Sequence, residues 1–279
     1  MKKYIFLVIV LLGFLIYFVV SNKVNKIDVL RVGTECDYAP NNWEEKRDTN
    51  SNVPLANNEG CYAEGYDIQI AKIVADEIGA KLVVKKIAWQ DLIPALQGRE
   101  IDAIFSGMLD TSERRRLIAF SDVYAVEETE YTIIINKNGK YSHAKKFSDF
   151  KGAKFTAQKG TNLYNAIDQI PGALPLAAVD TVQEWLDKLV KGEIDASIIN
   201  LDTGRSYERI YPELSVIRFP EGEGFHFDYK GICAGVRKKD TKLLTAINDA
   251  LRNLSKHDRQ KIMDRTIARE WENISLIKK

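Results

Sequence analysis

The sequence lacks a charge excess of either sign, because 40 Lys and Arg side chains are balanced by 39 Asp and Glu side chains. A protein that binds duplex nucleic acid normally carries a basic excess or a basic stripe, so we expect no nucleic-acid partner. Cysteine and histidine are scarce as well, with three of each, and they form neither a CxxC motif nor a cluster. The sequence therefore predicts no metal site, and we expect no cofactor.

Long apolar runs are also missing, except for one at the N-terminus. Lys2 and Lys3 precede residues 4–20, which are uncharged and almost wholly apolar. A basic stretch followed by an apolar one is typical of a secretory signal, and the length is close to the lower limit for a membrane-spanning helix. Residues 1–25 are therefore predicted to be a signal peptide or an uncleaved membrane anchor. In both cases we expect the remaining chain in the periplasm or on the outer face of the cytoplasmic membrane.

Cysteine usage agrees with export. Cys36 and Cys61 bracket the most polar and turn-rich stretch of the chain, residues 41–60. In an oxidising compartment these two cysteines can form a disulfide, which would stabilise the fold by about 3 kcal/mol in the chain-entropy model. Two unpaired thiols are the alternative.

The overall composition is that of a globular protein, with 45% hydrophobic and 28% charged residues. At roughly 150 residues per domain, the chain corresponds to about two domains. Short β-branched runs alternate with amphipathic segments, which is typical of βαβ units and an α/β fold. Strands are predicted over residues 29–33, 81–85, 101–105, 154–158, 176–179, 194–200 and 231–237. Helices are predicted over residues 66–78, 90–97, 112–118, 161–170, 182–191, 241–256 and 259–269.

The two halves of the chain share one local pattern. Residues 96–103 and 189–196 both contain a helix end, a glycine and a strand that opens with Glu-Ile-Asp-Ala. This similarity favours two related halves, and the alternative is a common helix-to-strand turn. In open α/β sheets, ligands bind beyond the carboxyl ends of the strands. The loops that follow the predicted strands come from both halves, so the sequence predicts a cleft between two lobes.

The most informative polar segment, residues 106–114, begins where a predicted strand ends and runs into a predicted helix. Asp110 or Thr111 is predicted to cap this helix, and Asp110 with Glu113 fits a capping box. Arg114 then falls in the first turn, where the helix dipole favours an anion rather than a cation. A guanidinium there is explained if it receives a carboxylate through two parallel hydrogen bonds. The alternative is a solvated surface arginine beside two further arginines.

Several linked segments are similar to the motifs of one known family. They are residues 30–34 with 38–40, 65–68, 89–98, 107–114 and 120–124. The third segment matches a tryptophan-led W-x-x-L-I-P-A-L pattern, and the last one matches F-S-D-x-Y. On these motifs the chain resembles the extracytoplasmic solute-binding proteins of amino-acid ABC importers, of the family 3 type. The likeness continues more thinly to the C-terminal helices and covers nearly the whole chain after the leader.

The resemblance implies a type II periplasmic-binding-protein fold: two α/β lobes that close on a ligand about a two-strand hinge. Each lobe would be a mostly parallel sheet flanked by helices. One lobe would comprise residues 27–133 and 232–279, and the other residues 134–231. The implied function is the capture of an amino acid, with a polar or basic one favoured, or of a related small carboxylate. The implied partner is a membrane-embedded ABC permease, and the protein would act as a monomer without enzymatic activity.

The same resemblance implies roles for individual residues. Arg114 would hold the ligand α-carboxylate, helped by the backbone amides of Thr161 and Asn162 at a helix N-terminus in the other lobe. Glu35 occupies the position where the family often has an aspartate facing a polar or basic ligand side chain.

Four further residues match wall and ammonium positions of the family. Tyr38 and Trp89 would form aromatic walls, and the alternative is that both are core aromatics. Ser106 and Gly107 match positions that offer a hydroxyl or backbone oxygens to the ligand ammonium.

Two positions depart from the family pattern. Leu109 stands where a serine or threonine usually donates to the ligand, and Asn200 stands where an aspartate commonly pairs with the α-ammonium. Desolvating an ammonium without an anion costs several kcal/mol, so asparagine in place of aspartate at position 200 would weaken the binding of an α-ammonium. Asp202 lies two residues further on, on the same face if the strand continues, and either it or Glu35 would replace the missing charge. Otherwise the ligand lacks a standard α-amino group.

Two other functions compete with ligand capture. Some family relatives are dehydratases of prephenate-like acids, and Glu35 or Asp202 would be the general acid in such an enzyme. An uncleaved leader would instead tether a ligand-sensing domain to the membrane, which requires a partner receptor.

Overall fold

The computed structural model describes residues 27–125, 130–220, 222–227, 229 and 231–277. The predicted signal peptide or anchor, residues 1–25, lies outside these residues. Among the described helices, none is both long enough and apolar enough to span a membrane.

The described strands and helices are numbered here in chain order. The strands are β1 Val29–Thr34, β2 Asp37–Tyr38, β3 Asn42–Glu45, β4 Val53–Pro54, β5 Tyr62–Glu64, β6 Lys81–Lys86, β7 Ala103–Ile104, β8 Ala119–Val123, β9 Tyr131–Asn136, β10 Lys154–Phe155, β11 Leu174–Pro175, β12 Ala196–Asn200, β13 Leu214–Ile217 and β14 Cys233–Val236. The helices are α1 Tyr66–Ile78, α2 Leu92–Gln97, α3 Ser112–Arg115, α4 Asn162–Asn165, α5 Val182–Lys191, α6 Leu201–Ile210, α7 Thr241–Arg252 and α8 Lys256–Ile277.

The first sheet has the strand order β6-β1-β7-β14-β8. Its β1 pairs in parallel with β6 and β7, whereas β14 runs antiparallel to β7 and β8. Leu30 and Val32 of β1 are fully buried and belong to one apolar cluster with Val74 of α1 and Ile247 of α7. A second apolar cluster forms around α2. Helices therefore cover the parallel part of the sheet, as parallel strands require.

The second sheet has the order β11-β10-β12-β9-β13 and repeats the same plan. Its β10 pairs in parallel with β11 and β12, whereas β9 runs antiparallel to β12 and β13. The α/β class is confirmed, and each sheet is mixed because the first strand after a crossover, β14 in the first sheet and β9 in the second, runs antiparallel to its neighbours. This matching plan agrees with the repeated helix-to-strand pattern of the sequence.

The chain passes from the first sheet to the second between β8 and β9, and it returns between β13 and β14. We call the first sheet with its packed helices the first lobe, and the second sheet with its helices the second lobe. The predicted residue boundaries, 27–133 with 232–279 and 134–231, stay a prediction.

The observed residue ranges of two helices equal the predicted ones, because a glycine ends each helix. Gly79 and Gly192 adopt left-handed conformations, with φ of 68° and 73°, directly after α1 and α5. Glycine is the residue that reaches this region most easily, so both helices end at the predicted position. The predicted strand over residues 176–179 is wrong, since the edge strand is Leu174–Pro175.

A small antiparallel sheet, of order β2-β3-β5-β4, fills the polar stretch between the first strand and α1. The structure has free thiols at Cys36 and Cys61, so it shows the alternative and not the predicted disulfide. Cys36 is buried in an apolar cluster with Leu55 and Val84. The thiol of Cys61 instead contacts the carboxylate of Glu44, and desolvation together with this contact raises the pKa of Cys61.

Candidate ligand-binding cleft

A cavity lies between the two lobes, and its wall contains all the predicted site residues except Asp202. From the first lobe it is lined by Glu35, Tyr38, Trp89, Ser106, Gly107, Leu109, Arg114 and Ile232. From the second lobe it is lined by Tyr131, Gln158, Thr161, Asn162, Leu163, Val182, Trp185, Ile199 and Asn200. The predicted residues therefore converge from loops that lie far apart in the sequence.

Arg114 lies in the single turn of α3. The hydroxyl of Thr111 caps this turn by accepting the backbone N–H of Arg114 at 3.2 Å. The Nη1 atom donates to the backbone carbonyl of Leu109 at 3.0 Å, and Nη2 donates to the carbonyl of Gly160 at 3.1 Å. Because Gly160 belongs to the second lobe, the guanidinium connects the two sides of the cleft.

The guanidinium of Arg114 is buried among backbone acceptors. Arg114 is only 9% exposed. In the described part of the chain its hydrogen-bond acceptors are two backbone carbonyls, and it forms no ion pair with a carboxylate. Burial lowers the pKa of Arg114 to about 10, so it remains a cation at neutral pH. A buried cation without an anion is unfavourable, and an incoming carboxylate would relieve that cost.

Trp89 forms part of the same end of the cleft. Its indole Nε1 donates to the carbonyl of Gly160 at 3.3 Å. The Cζ atom of Arg114 lies 5.0 Å from the centre of the Trp89 ring, within the range of a cation–π contact. Trp89 thus braces the guanidinium from the side while it remains half-buried at the cavity wall.

Glu35 directly follows β1 and lies in a different part of the wall. It is 7% exposed, and its backbone N–H donates to Ser106 Oγ at 3.0 Å. Its carboxylate Oε1 accepts a hydrogen bond from Gln158 Nε2 of the second lobe at 2.5 Å. The contact spans 123 positions of sequence and forms a second bridge across the cleft.

Burial raises the pKa of Glu35 to about 7. The amide of Gln158 and the backbone N–H of Trp89 oppose this rise, the charge of Asp37 adds to it and that of Lys86 opposes it. A buried carboxylate disfavours its own ionisation unless a positive charge comes near. The group is therefore poised to ionise when a cation approaches.

Ser106 and Gly107 bring backbone and hydroxyl groups to the cavity at the end of β7. Ser106 is 3% exposed. Gly107 has a φ of 61°, and a Cβ at this position would lie 3.4 Å from the ring of Tyr38. Its backbone N–H donates to the buried carboxylate of Asp67. The left-handed backbone favours glycine at this position.

Tyr38 and Asn200 form a neutral pair across the cleft. The amide Nδ2 of Asn200 hydrogen-bonds to the hydroxyl of Tyr38. The Oδ1 atom of Asn200 accepts the backbone N–H of Thr203 at 2.8 Å and so caps α6. Burial raises the pKa of Tyr38, which keeps its hydroxyl protonated. This pair offers hydrogen bonds to a ligand but no formal charge.

Thr161 and Asn162 meet the cavity at the start of α4. Thr161 Oγ1 donates to the carbonyl of Gln158 at 2.7 Å and accepts the backbone N–H of Tyr164 at 3.4 Å. The side chain of Thr161 therefore fixes the loop that carries Gly160.

The placement predicted for Asp202 is wrong. The strand β12 ends at Asn200, and α6 begins at Leu201 without an intervening loop. Asp202 consequently lies in the first helical turn, exposed to solvent and outside the cavity wall. The condition on which the prediction depended, a strand that continues, is not met.

Sequence reasoning missed three large wall residues. Gln158 was predicted only to belong to the loop after the strand over residues 154–158, and Trp185 only to belong to the helix over residues 182–191. Tyr131 opens β9, and its ring centre lies 4.4 Å from that of Phe227. Each gains its place in the wall through a partner that is distant in sequence.

Two α/β lobes with a shared, mostly apolar cleft and one buried cation define a two-lobed ligand-binding protein. The chain belongs to the bacterial extracellular solute-binding proteins, family 3, whose family model matches residues 30–268. The family resemblance deduced from the sequence motifs is thereby confirmed.

Characterised relatives cover most of the chain. The arginine-binding extracellular protein ArtP of Bacillus subtilis is 25% identical over 81% of this chain and 80% of its own length. An L-arginine-binding protein of Pseudomonas aeruginosa is 28% identical over 82% and 84%, respectively. The structure of an ancestral arginine-binding protein bound to arginine matches with a TM-score of 0.70 at 27% identity, over 86% of this chain and 99% of the other.

Proposed function

We propose that the protein captures an amino acid with a basic or polar side chain outside the cytoplasm and delivers it to an ABC-type permease. Membership of the family and the arginine-binding names of its relatives support this function. The observation that carries it is Arg114, a cation that is 9% exposed and whose acceptors among the described residues are backbone carbonyls.

The ligand carboxylate binds at the Arg114 end of the cleft. A guanidinium offers a planar set of donors that matches a carboxylate with two parallel hydrogen bonds. The ligand carboxylate competes there with the carbonyls of Leu109 and Gly160 and supplies the missing negative charge. Trp89 holds the guanidinium in place, and the backbone amides of Thr161 and Asn162 assist from the second lobe.

The ligand side chain extends toward Glu35. A cationic side chain, such as that of arginine, favours the ionised form of this buried carboxylate and displaces the amide of Gln158. A neutral polar side chain can instead share hydrogen bonds with Gln158 and a protonated Glu35. This end of the cleft therefore favours basic ligands and tolerates polar ones.

The α-ammonium of the ligand faces neutral groups. Ser106 Oγ, the backbone carbonyl of Gly107 and the Tyr38–Asn200 pair offer acceptors. With Asn200 in place of an acidic residue, and with the apolar Leu109 in the wall, we expect a smaller contribution from the ammonium than from the carboxylate.

Isothermal titration calorimetry of the purified protein with each standard amino acid tests the proposal. We expect L-arginine or another basic amino acid to bind with a Kd in the micromolar range or tighter. A micromolar Kd corresponds to a binding free energy of about −8 kcal/mol. Native mass spectrometry of freshly purified protein checks for a retained ligand. If no amino acid and no small carboxylate binds, the proposal is wrong.

A dehydratase activity in the same cleft is the second candidate, because Glu35 is a buried carboxyl whose pKa is raised to about 7. Such a group can serve as a general acid near neutral pH. Incubation with prephenate or arogenate would then yield an aromatic product, and this yield would disappear in a Glu35→Gln variant. We expect no product, because the relatives named above are arginine-binding proteins.

The remaining parts of the proposal concern location and assembly. We propose that the protein acts as a monomer outside the cytoplasmic membrane and either is released by cleavage near residue 25 or stays anchored there. N-terminal sequencing of the mature protein distinguishes these two forms, and size-exclusion chromatography with light scattering measures its oligomeric state.

A further inference from the structure

The C-terminal helix α8 begins as part of the first lobe. Ile262 and Met263 pack against the apolar core of the first sheet. The guanidinium of Arg259 donates to the carbonyl of Val123 at 2.6 Å and to the carbonyl of Leu251 at 2.7 Å. These contacts fix the first half of the helix to the first lobe.

The second half of α8 contacts α6 of the second lobe. Ser206 Oγ donates to Glu270 Oε2 at 2.7 Å. The guanidinium of Arg209 lies 3.5 Å from the centre of the Trp271 ring, a close cation–π contact. The helix therefore reaches both lobes.

Two residues of α8 near this contact are buried. Thr266 and Glu270, one turn apart on the same face of α8, are 0% and 3% exposed. Arg269, next to Glu270, lies 3.5 Å from Glu64 of the first lobe. Neighbouring residues of α8 thus contact different lobes, Arg269 the first and Glu270 the second.

The helix α6 connects this contact to the cleft. It begins directly after Asn200, which lines the cavity and caps the helix. The α6–α8 contact is present together with the cleft bridges of Arg114 to Gly160 and of Glu35 to Gln158. The same arrangement of the lobes satisfies both sets of contacts.

We propose that Glu270 and Trp271 form an interlobe latch, a third connection beside the two chain crossovers, which favours the closed arrangement of the lobes. Both are positioning residues, because neither lines the cavity. The predicted effect on ligand affinity rests on the proposed function, whereas the predicted effect on the distance between the lobes does not.

The test uses fluorescence energy transfer between labels on the two lobes. Cysteines introduced at the exposed positions Glu77 on α1 and Lys191 on α5 carry the dyes, in a Cys61→Ser background that removes the most accessible native thiol. Glu270→Ala and Trp271→Ala are compared with the unmodified latch, without ligand and with L-arginine. We expect both variants to shift the interlobe distances away from the closed value. We also expect Kd for L-arginine to rise about 3- to 10-fold through faster dissociation.

Two further variants serve as controls. Asp264→Ala removes an exposed carboxylate of α8 whose contact is Gln260 of the same helix, so we expect it to change neither distance nor affinity. Glu270→Gln keeps an oxygen for Ser206 and should lie between wild type and Glu270→Ala. If Glu270→Ala does not fold, Trp271→Ala tests the latch at a half-exposed position. Interlobe distances equal to those of the wild type in the folded variants overturn the proposal. Absence of L-arginine binding in the wild type affects only the proposed function, because the distances still test the latch.

Discussion

The two charged ends of the cleft are equally buried but respond to burial in opposite ways. Arg114 is 9% exposed, and desolvation lowers its pKa to about 10. Glu35 is 7% exposed, and desolvation raises its pKa to about 7. Arg114 therefore stays charged at physiological pH, whereas Glu35 is only about half ionised near neutrality. The comparison suggests a fixed anchor for the ligand carboxylate and an adjustable partner for its side chain.

The partners of the two groups sharpen this contrast. Arg114 donates to backbone carbonyls, which are dipoles that cannot neutralise it. Glu35 accepts from the side-chain amide of Gln158, which can turn away or hydrogen-bond to the ligand. We therefore expect the ligand carboxylate to be essential for binding and a cationic ligand side chain to strengthen it.

Removing the guanidinium of Arg114 should cause the largest loss of ligand affinity. Arg114→Ala deletes the charge that receives the ligand carboxylate, and loss of one partner of a buried pair costs about 3–5 kcal/mol, or about 10² to 5 × 10³ in affinity. Calorimetry with L-arginine measures it. Arg116→Ala, an exposed arginine two residues away, is the matched control and should bind like the wild type. Wild-type affinity in the Arg114→Ala variant would remove the central assignment.

Neutralising Glu35 should lower the affinity for basic ligands more than the affinity for neutral polar ones. Glu35→Gln keeps the shape of the side chain but cannot supply a negative charge. We expect the affinity for L-arginine to fall about 10- to 30-fold, while that for L-glutamine changes less than about threefold. Competition binding with the two amino acids measures the ratio. An equal loss for both ligands would show that Glu35 does not discriminate by charge.

The pH dependence should follow Glu35 rather than Arg114. A ligand cation favours the ionised carboxylate, so binding of L-arginine should release a proton and tighten about tenfold from pH 6 to pH 8. The raised pKa has the opposite effect on stability: the ligand-free fold should lose stability as pH rises from about 4.5 to about 7, because ionisation of the buried group becomes unfavourable.

Calorimetry in buffers of different ionisation enthalpy counts the released protons, and thermal unfolding follows stability across the same range. Asp67, whose burial raises its pKa to about 6, contributes to the stability effect with the same sign. In Glu35→Gln the pH dependence of binding should disappear. Its persistence in that variant would assign the titration to another group.

Placing a negative charge at position 200, near the ligand ammonium, should change the ligand affinity least. In Asn200→Asp the carboxylate can still accept from Thr203, and it can also accept from the hydroxyl of Tyr38. We expect L-arginine to bind about 3- to 5-fold more tightly, because the ammonium gains an anion at the cost of a new buried charge. An arginine analogue without the α-amino group should not gain, and equal gains for both ligands would contradict this assignment.

The sequence predicted the elements whose local signals are strong. The helices α1 and α5 have an apolar stripe and a terminal glycine, so their bounds follow from periodicity and from the left-handed C-cap. Among the cleft residues, Arg114 followed from the motifs and from the rule that ligands bind beyond the carboxyl ends of strands, whereas Trp89 followed from the motifs alone.

Other features depend on contacts that no local pattern shows. The helix α6 buries Thr203, Gly204, Ser206 and Tyr207, which are mostly small and polar, so it has no apolar stripe to detect. The strands of the small third sheet are two to four residues long, too short for alternation. Gln158 became a site residue only because folding brings it to Glu35.

A crystal structure of the protein with L-arginine tests the central claim most directly. The account predicts that both oxygens of the ligand carboxylate lie within hydrogen-bond distance of the Arg114 guanidinium, with the ligand side chain directed toward Glu35. A ligand whose carboxylate binds elsewhere, while Arg114 still donates only to Leu109 and Gly160, would contradict it.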